Sequence, residues 1–81
     1  MKMKLLERNL WGDTDTWRGR KNNHKVEIET PFRETDENFG KYSFRIQKPY
    51  GSIVNSYKEN LYFDSFNECY DFCLKWINEN K

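Results

Sequence analysis

Residues 65–79 read SFNECYDFCLKWINE, and this stretch predicts a C-terminal α-helix. Ser65 followed three residues later by Glu68 fits a capping box, in which a hydroxyl and a carboxylate satisfy unpaired backbone N–H groups at the start of a helix. Apolar side chains then recur at the i, i+3, i+4, i+7 spacing of one buried helix face; they are Phe66, Cys69, Tyr70, Cys73, Trp76 and Ile77. This apolar face is wide, so the helix needs a broad surface to pack on.

The preceding sequence predicts that this surface is an antiparallel sheet. Residues 24–30 and 41–47 alternate apolar with polar side chains, which is typical of strands with one buried face. Residues 48–51 predict a turn into a further strand over residues 52–57, in a register that places Ile46 opposite Ile53. Residues 1–11 fit either a short helix, with Met3, Leu6 and Leu10 on one face, or a strand, and we expect a strand. The predicted fold is α+β, with an antiparallel sheet of three to five strands and one C-terminal helix, about residues 65–79, packed across one face.

The length and composition predict a single domain over residues 1–81. The chain has no linker, internal repeat or low-complexity segment, and its 17% aromatic content supplies large side chains for a small core. The basic start of the chain is followed by an apolar run too short for a signal peptide, because Glu7 and Arg8 interrupt it. We therefore expect a cytoplasmic protein with no membrane partner.

The two cysteines are predicted to be buried free thiols. Cys69 and Cys73 lie on the apolar face of one helix, where a disulfide would be geometrically awkward and would close only a short loop. With His24 they would supply three of the four ligands that a structural zinc site takes. We interpret the cysteines as small apolar side chains and expect neither a metal nor a cofactor.

The inventory of catalytic residues is poor. His24 is the one histidine and is expected to be exposed in a basic loop, away from the cysteines. The sequence contains no glycine-rich phosphate loop, no nucleophile elbow and no HExxH run. We therefore expect a protein that is not an enzyme and that acts by binding.

The candidate binding surface is basic and aromatic. The first 25 residues carry seven bases and three acids, and four of these bases lie within residues 18–25, a stretch interpreted as a loop or hairpin tip. Exposed aromatic and arginine side chains are frequent anchors of protein interfaces. The predicted partner-binding residues are Trp17, Arg18, Arg20 and Lys21 with Tyr50 at the later turn. We expect contacts with another protein, as an inhibitor or adaptor encoded by a phage or mobile element and directed at a host or defence protein.

Nucleic-acid binding is the alternative function. The basic loop of residues 18–25 and the outward face of the sheet could hold phosphates, and aromatic neighbours can stack bases. The strand, turn, strand and helix of residues 41–78 resemble the sheet-reading DNA-binding domains of plant transcription factors and phage integrases. The characteristic glycine and arginine positions of those domains cannot be placed here, and the net charge of +1 is far from a basic footprint.

The helix also presents apolar side chains beyond its central stripe. Phe72 and Trp76 lie on one flank, and something must cover them. The candidates are the N-terminal segment with Leu5, Leu6, Leu10 and Trp11 or a second copy of the chain. Phe72 and Trp76 are accordingly the predicted interface of a homodimer, if the protein forms one.

Overall fold

The computed structural model describes residues 2–9 and 13–80, and side chains from residues 2–4 and 13–80. Within these residues the chain forms a five-stranded antiparallel sheet in the order β1-β2-β3-β4-β5. The strands are β1 (Lys4–Asn9), β2 (Thr14–Lys21), β3 (His24–Pro31), β4 (Ser43–Gln47) and β5 (Ile53–Asn55), followed by a short helix α1 (Ser56–Glu59) and the long helix α2 (Phe66–Glu79). The predicted α+β class, with a C-terminal helix packed on an antiparallel sheet, is confirmed.

Helix α2 begins where the sequence predicts. Ser65 is its N-cap in an extended conformation, and the backbone N–H of Glu68 donates to the Ser65 hydroxyl at 3.2 Å. This hydrogen bond satisfies one of the backbone donors that the first turn of a helix leaves unpaired. The cap therefore fixes the start of the helix that closes the core.

The core lies between α2 and the sheet face turned toward it, here called the inner face. Seven side chains of this core are at most 2% exposed: Val26, Ile28, Phe44, Ile46, Cys69, Cys73 and Ile77. Burial of each large aliphatic or aromatic side chain contributes roughly 1.5–3 kcal/mol. The helix and the two central strands, β3 and β4, are therefore the stable centre of the molecule.

The flank of α2 is covered in part by side chains of the same chain. The ring of Phe72 packs at 4.9 Å from that of Phe44 and at 5.3 Å from that of Phe63, measured between centroids. Trp76 meets His24 edge-on at 6.1 Å, and the ammonium of Lys48 lies 5.5 Å from the Trp76 ring. The sequence offers the N-terminal segment as one candidate cover of this flank. Of its apolar residues, Leu10 and Trp11 lie outside the described residues, and the side chains of Leu5 and Leu6 are not among the described side chains.

The predicted basic loop of residues 18–25 is instead the end of a hairpin between β2 and β3. Residues 18–21 belong to strand β2, and β3 begins at His24, so that only Asn22 and Asn23 form the turn. Both asparagines have positive φ, 50° and 64°, as in the two-residue turns that match the twist of antiparallel strands. Asparagine tolerates this conformation better than most residues, so the hairpin closes without a longer loop.

The hairpin of β4 and β5 differs from the predicted register by one residue. Ile46 pairs with Val54, and Gln47 pairs with Ile53. The turn holds one more residue than predicted because the N–H of Lys48 donates to Ser52 O at 2.8 Å and the chain turns at Gly51 with φ 89°. A shift of one residue exchanges the two faces of a strand, so Val54 packs against the core and Ile53 does not.

The strand β5 is also shorter than predicted. It ends at Asn55, whose side chain accepts a hydrogen bond at 2.8 Å from the backbone N–H of Lys58. Asn55 is thereby the N-cap of α1, and residues 56–59 are helical where the sequence predicts that the strand continues. The predicted strand over residues 52–57 is therefore wrong beyond Asn55.

Candidate docking surface

The sheet face turned away from α2, here called the outer face, is open. On the central strand β3 the inner positions are all buried, whereas the outer positions are half-buried or exposed. The register places a mostly polar set of side chains on the outer face: Lys4, Thr14, Thr16, Arg18, Arg20, Lys25, Glu27, Glu29, Pro31, Ser43, Arg45, Gln47, Ile53 and Asn55. Each of them is exposed or intermediate in burial, so the outer face is accessible to a partner.

One end of the outer face is basic. Lys4 of β1 lies directly opposite Arg18 of β2, and Arg20 of β2 lies directly opposite Lys25 of β3. These four bases, with Gly19, Glu27 and Gln47, line a groove of about 490 Å³, here called the basic groove. Two cross-strand pairs of like charge are thus adjacent on one surface.

Glu27 links the basic groove to the centre of the outer face. Its carboxylate is 3.6 Å from the guanidinium of Arg18 and 3.1 Å from that of Arg45. Among the ion pairs of the described residues, none involves Arg20, Lys25 or Lys4. One carboxylate is therefore shared between two arginines, while Lys4, Arg20 and Lys25 have no ion-pair partner within the part of the chain whose side chains are described.

The other end of the outer face carries three acids, Glu27, Glu29 and Asp36, beside two bases, Lys41 and Arg45. Glu29 lies beyond Glu27 on β3, in a cleft of about 380 Å³ that is also lined by Asp36, Tyr57 and Tyr62. Burial raises the pKa of the Glu29 carboxyl above its ordinary value, the charge of Glu27 raises it further, and Arg45 partly lowers it. Along β3 the outer side chains thus change from Lys25 to two glutamates.

The residues predicted to bind a partner do not form one surface. Trp17 lies on the inner face, half-buried, with its ring 5.0 Å from that of Phe66. Because side chains alternate along a strand, Lys21 shares the side of Trp17, whereas Arg18 and Arg20 lie on the outer face. The structure therefore brings Arg18 and Arg20 together but places Trp17 and Lys21 on the opposite side of the sheet.

Tyr50 is the most exposed large apolar side chain of the described residues, at 97%. It occupies a turn closed by a hydrogen bond of 3.0 Å from the N–H of Gly51 to Lys48 O. This turn and the turn of Asn22 and Asn23 border a common groove at the end of the molecule where α2 finishes. Tyr50 is thus available for contact, at one end of the sheet.

The prediction that His24 is exposed is wrong, because its side chain is buried. Its side chain is 3% exposed, and its Nδ1 atom lies 2.8 Å from Asn22 O. His24 is the first residue of the inward alternation that continues with Val26 and Ile28. This alternation was visible in the sequence and could have assigned His24 to the core.

Both cysteines are buried and free, as predicted. Hydrogen bonding with Cys69 and burial raise the pKa of the Cys73 thiol well above its ordinary range, so this thiol stays protonated at neutral pH. Within the described residues, no three side chains of His, Cys, Asp or Glu are grouped so as to hold a metal ion. Neither α1 nor α2 is long and apolar enough to cross a membrane.

The alternation in the sequence places Glu29 and Gln47 on the outward face, but they were not among the predicted partner-binding residues, and Lys4 was missed. The pair Asn22 and Asn23 is a signal for part of this surface, because a two-residue turn fixes the register of β2 and β3 and hence places Arg18 and Arg20 beside Glu27 and Lys25. Comparisons of the chain with protein-family models, curated proteins and solved structures found no significant match.

Proposed function

We propose that this chain is a non-catalytic binding protein that docks on another protein through its outer face. The observation that carries the proposal is the open outer face, which has a basic groove at one end and the carboxylates Glu27 and Glu29 toward the other. Complementary charge at an interface selects partners and guides their orientation. A surface that carries both signs in a fixed order suits one protein partner better than a uniform polyanion.

The dimensions of the charged surface define what the partner must present. Lys25 and Glu29 are four residues apart on β3, which corresponds to about 13 Å along a strand. A matching partner has acidic groups facing the basic groove and a basic group about 13 Å away facing Glu29. A basic group of the partner that faces Glu29 could also form cation–π contacts with the rings of Tyr57 and Tyr62, which line the same cleft.

Tyr50 supports the proposal as a second point of attachment. Its ring is almost fully exposed, and the turn that carries it contains Pro49 and is closed by a backbone hydrogen bond. An aromatic side chain on an ordered turn loses little conformational freedom when it enters a pocket. We therefore include Tyr50 in the partner-binding surface, together with Arg18 and Arg20.

We propose a biological role on the basis of the size and charge of the domain. A small binding domain with a charge-ordered surface has the properties that an inhibitor or adaptor needs, and we propose that a phage or mobile element encodes it against a host or defence protein. The free thiols of Cys69 and Cys73 support a reducing compartment such as the cytoplasm.

The test is a comparison of two variants with equal changes in charge. The immobilised protein, its Arg20→Glu variant and its Lys75→Glu variant are exposed to extracts of the native host, with and without nuclease. Arg20 is on the outer face, and Lys75 is an exposed residue of α2. We expect one protein to be retained by the unmodified chain and by Lys75→Glu, with or without nuclease, and to be lost with Arg20→Glu. Equal retention by all three proteins would contradict docking through the outer face.

Nucleic-acid binding is the second candidate, and the basic groove is the observation that favours it. Its four bases resemble a phosphate site. However, Glu27 and Glu29 share the face, and no aromatic ring is among the described residues that line the groove, so those residues offer nucleic-acid bases nothing to stack on. If this candidate is correct, oligonucleotide affinity falls steeply with salt, and nuclease removes the captured partner.

A further inference from the structure

The basic groove has a cost in the free energy of folding. Like charges directly opposite each other on neighbouring strands destabilise a sheet, and here two such pairs, Lys4 with Arg18 and Arg20 with Lys25, are adjacent. Residues that destabilise the free protein are frequent at surfaces that function by binding. The arrangement therefore points to an anionic ligand that relieves the repulsion.

The groove keeps most of its charge in the free protein. Among the described residues, its lining contains four bases and one acid, Glu27, which together carry a net charge of +3. Glu27 is also engaged by Arg45, outside the groove, at 3.1 Å. A ligand with several negative charges is needed to compensate what remains.

The spacing of the bases defines the form of this ligand. Arg18 and Arg20 are two residues apart on β2, so the two like-charged pairs are offset by about 7 Å along the strand and by one strand spacing across it. In an extended peptide, side chains at positions i and i+2 point to the same side at the same spacing of about 7 Å. Carboxylates at alternate positions of an extended segment would therefore meet both pairs at once.

We propose that the basic groove is the docking site for an extended acidic segment of the partner protein, with carboxylates at alternate positions. This inference rests on the proposed function and specifies the chemistry of the partner at the basic end of the outer face. One acid of the segment lies between Lys4 and Arg18, and the next lies between Arg20 and Lys25. The amide of Gln47, which is paired with Lys25 across β3 and β4, is placed to donate a hydrogen bond to the same segment.

The experiment uses a synthetic peptide in which glutamate and serine alternate. A second peptide has the same composition with its glutamates in one block, and an oligothymidylate carries the same number of charges. Each probe is titrated into the ¹⁵N-labelled full chain at low salt, and backbone amide shifts are followed by NMR. We expect the alternating peptide to bind most tightly of the three and to shift the amides of residues 4, 18–20, 25 and 47.

Two variants make the test specific. We expect Arg20→Gln and Lys25→Gln together to weaken binding of the alternating peptide by about tenfold, as for the loss of two surface ion pairs, whereas Lys75→Gln leaves it unchanged. If the double variant does not fold, as judged from its NMR spectrum, Lys25→Gln alone is used. Weaker binding of the alternating peptide than of the block peptide or the oligothymidylate, or shifts outside the groove, would overturn the inference.

The two proposals fail in different ways. If a host protein is captured through the outer face but the alternating peptide does not bind, the proposed function stands and the acidic segment is wrong. If the peptide binds in the groove but Arg20→Glu still captures the host protein, the groove is an acidic-peptide site and the docking surface of that protein lies elsewhere.

Discussion

At the scale of single residues, the outer face holds charges that the free protein does not fully stabilise. Arg20 faces Lys25 with no carboxylate at ion-pair distance among the described residues, and Glu29 is half-buried beside Glu27. Both features act on the folded state alone, because the unfolded chain separates and hydrates these groups. They are therefore measurable as changes in stability even before a partner is known.

We predict that Arg20→Gln stabilises the protein. The substitution removes one charge of a like-charged cross-strand pair, which should raise the free energy of unfolding by about 0.5 kcal/mol. Urea denaturation at low salt measures the gain, and 1 M salt should abolish it because the repulsion is screened. Lys75→Gln is the control and should change little. A loss of stability at low salt would show that Arg20 has a stabilising role within the free chain.

We predict that Glu29→Gln stabilises the protein at neutral pH but not in acid. In the folded protein the pKa of Glu29 is raised above its ordinary value of 4.5. As the pH rises past 4.5, the unfolded chain therefore loses this proton before the folded protein does. The ionised carboxylate is partly buried in the folded protein, so its ionisation lowers the free energy of unfolding. At pH 7 we expect a gain of at most about 0.5 kcal/mol, typical of a surface substitution, and below about pH 4 no gain, since the carboxyl is then protonated in both states.

Denaturation curves at pH 7 and pH 3.5 make this measurement, with Glu34→Gln as the control. Glu34 is exposed in the connection between β3 and β4. An equal gain at both pH values would mean that the effect of Glu29→Gln comes from packing and not from ionisation.

At the scale of elements, α2 depends on its N-cap. We predict that Ser65→Ala lowers the free energy of unfolding by about 1 kcal/mol, because the N–H of Glu68 loses its acceptor. Ser65→Asp should retain most of the stability, since a carboxylate can accept the same hydrogen bond and favours the positive end of the helix. Thermal denaturation followed by circular dichroism compares the three proteins, and equal stability of Ser65→Ala and the unmodified chain would contradict the role of the cap.

The sequence predicted α2 correctly because its signals are local. Ser65 and Glu68 mark its start, and its apolar spacing needs no knowledge of other elements. It was harder to predict which side chains of β2 and β5 face the core, because this depends on the turns. The two-residue turn of Asn22 and Asn23, with positive φ, lets β2 continue through Lys21. The additional residue in the turn at Gly51 places Val54 on the inner face. The same turns decide which charges share the outer face, so Arg18 and Arg20 were recognised as candidates but their separation from Trp17 was not.

At the scale of the whole molecule, the side chains on the flank of α2 have partners within the chain. We predict that Trp76→Ala destabilises the protein by about 2 kcal/mol, less than for a fully buried tryptophan, because Trp76 is half-buried against His24 and beneath Lys48. In sedimentation velocity the unmodified chain and the variant should both be monomers. A dimer that dissociates on substitution while the fold is retained would instead establish Phe72 and Trp76 as an interface between copies.

The order of the elements has a consequence for synthesis of the protein. Helix α2 follows all five strands in the chain, so the inner face emerges from the ribosome before the helix that covers it. Until then the inner side chains of the strands that have left the ribosome lack their cover and are exposed to solvent and to other nascent chains, a condition that favours aggregation. We therefore expect the unfinished chain to be a client of ribosome-associated chaperones, and translation pauses within α2 to lower the yield of folded protein.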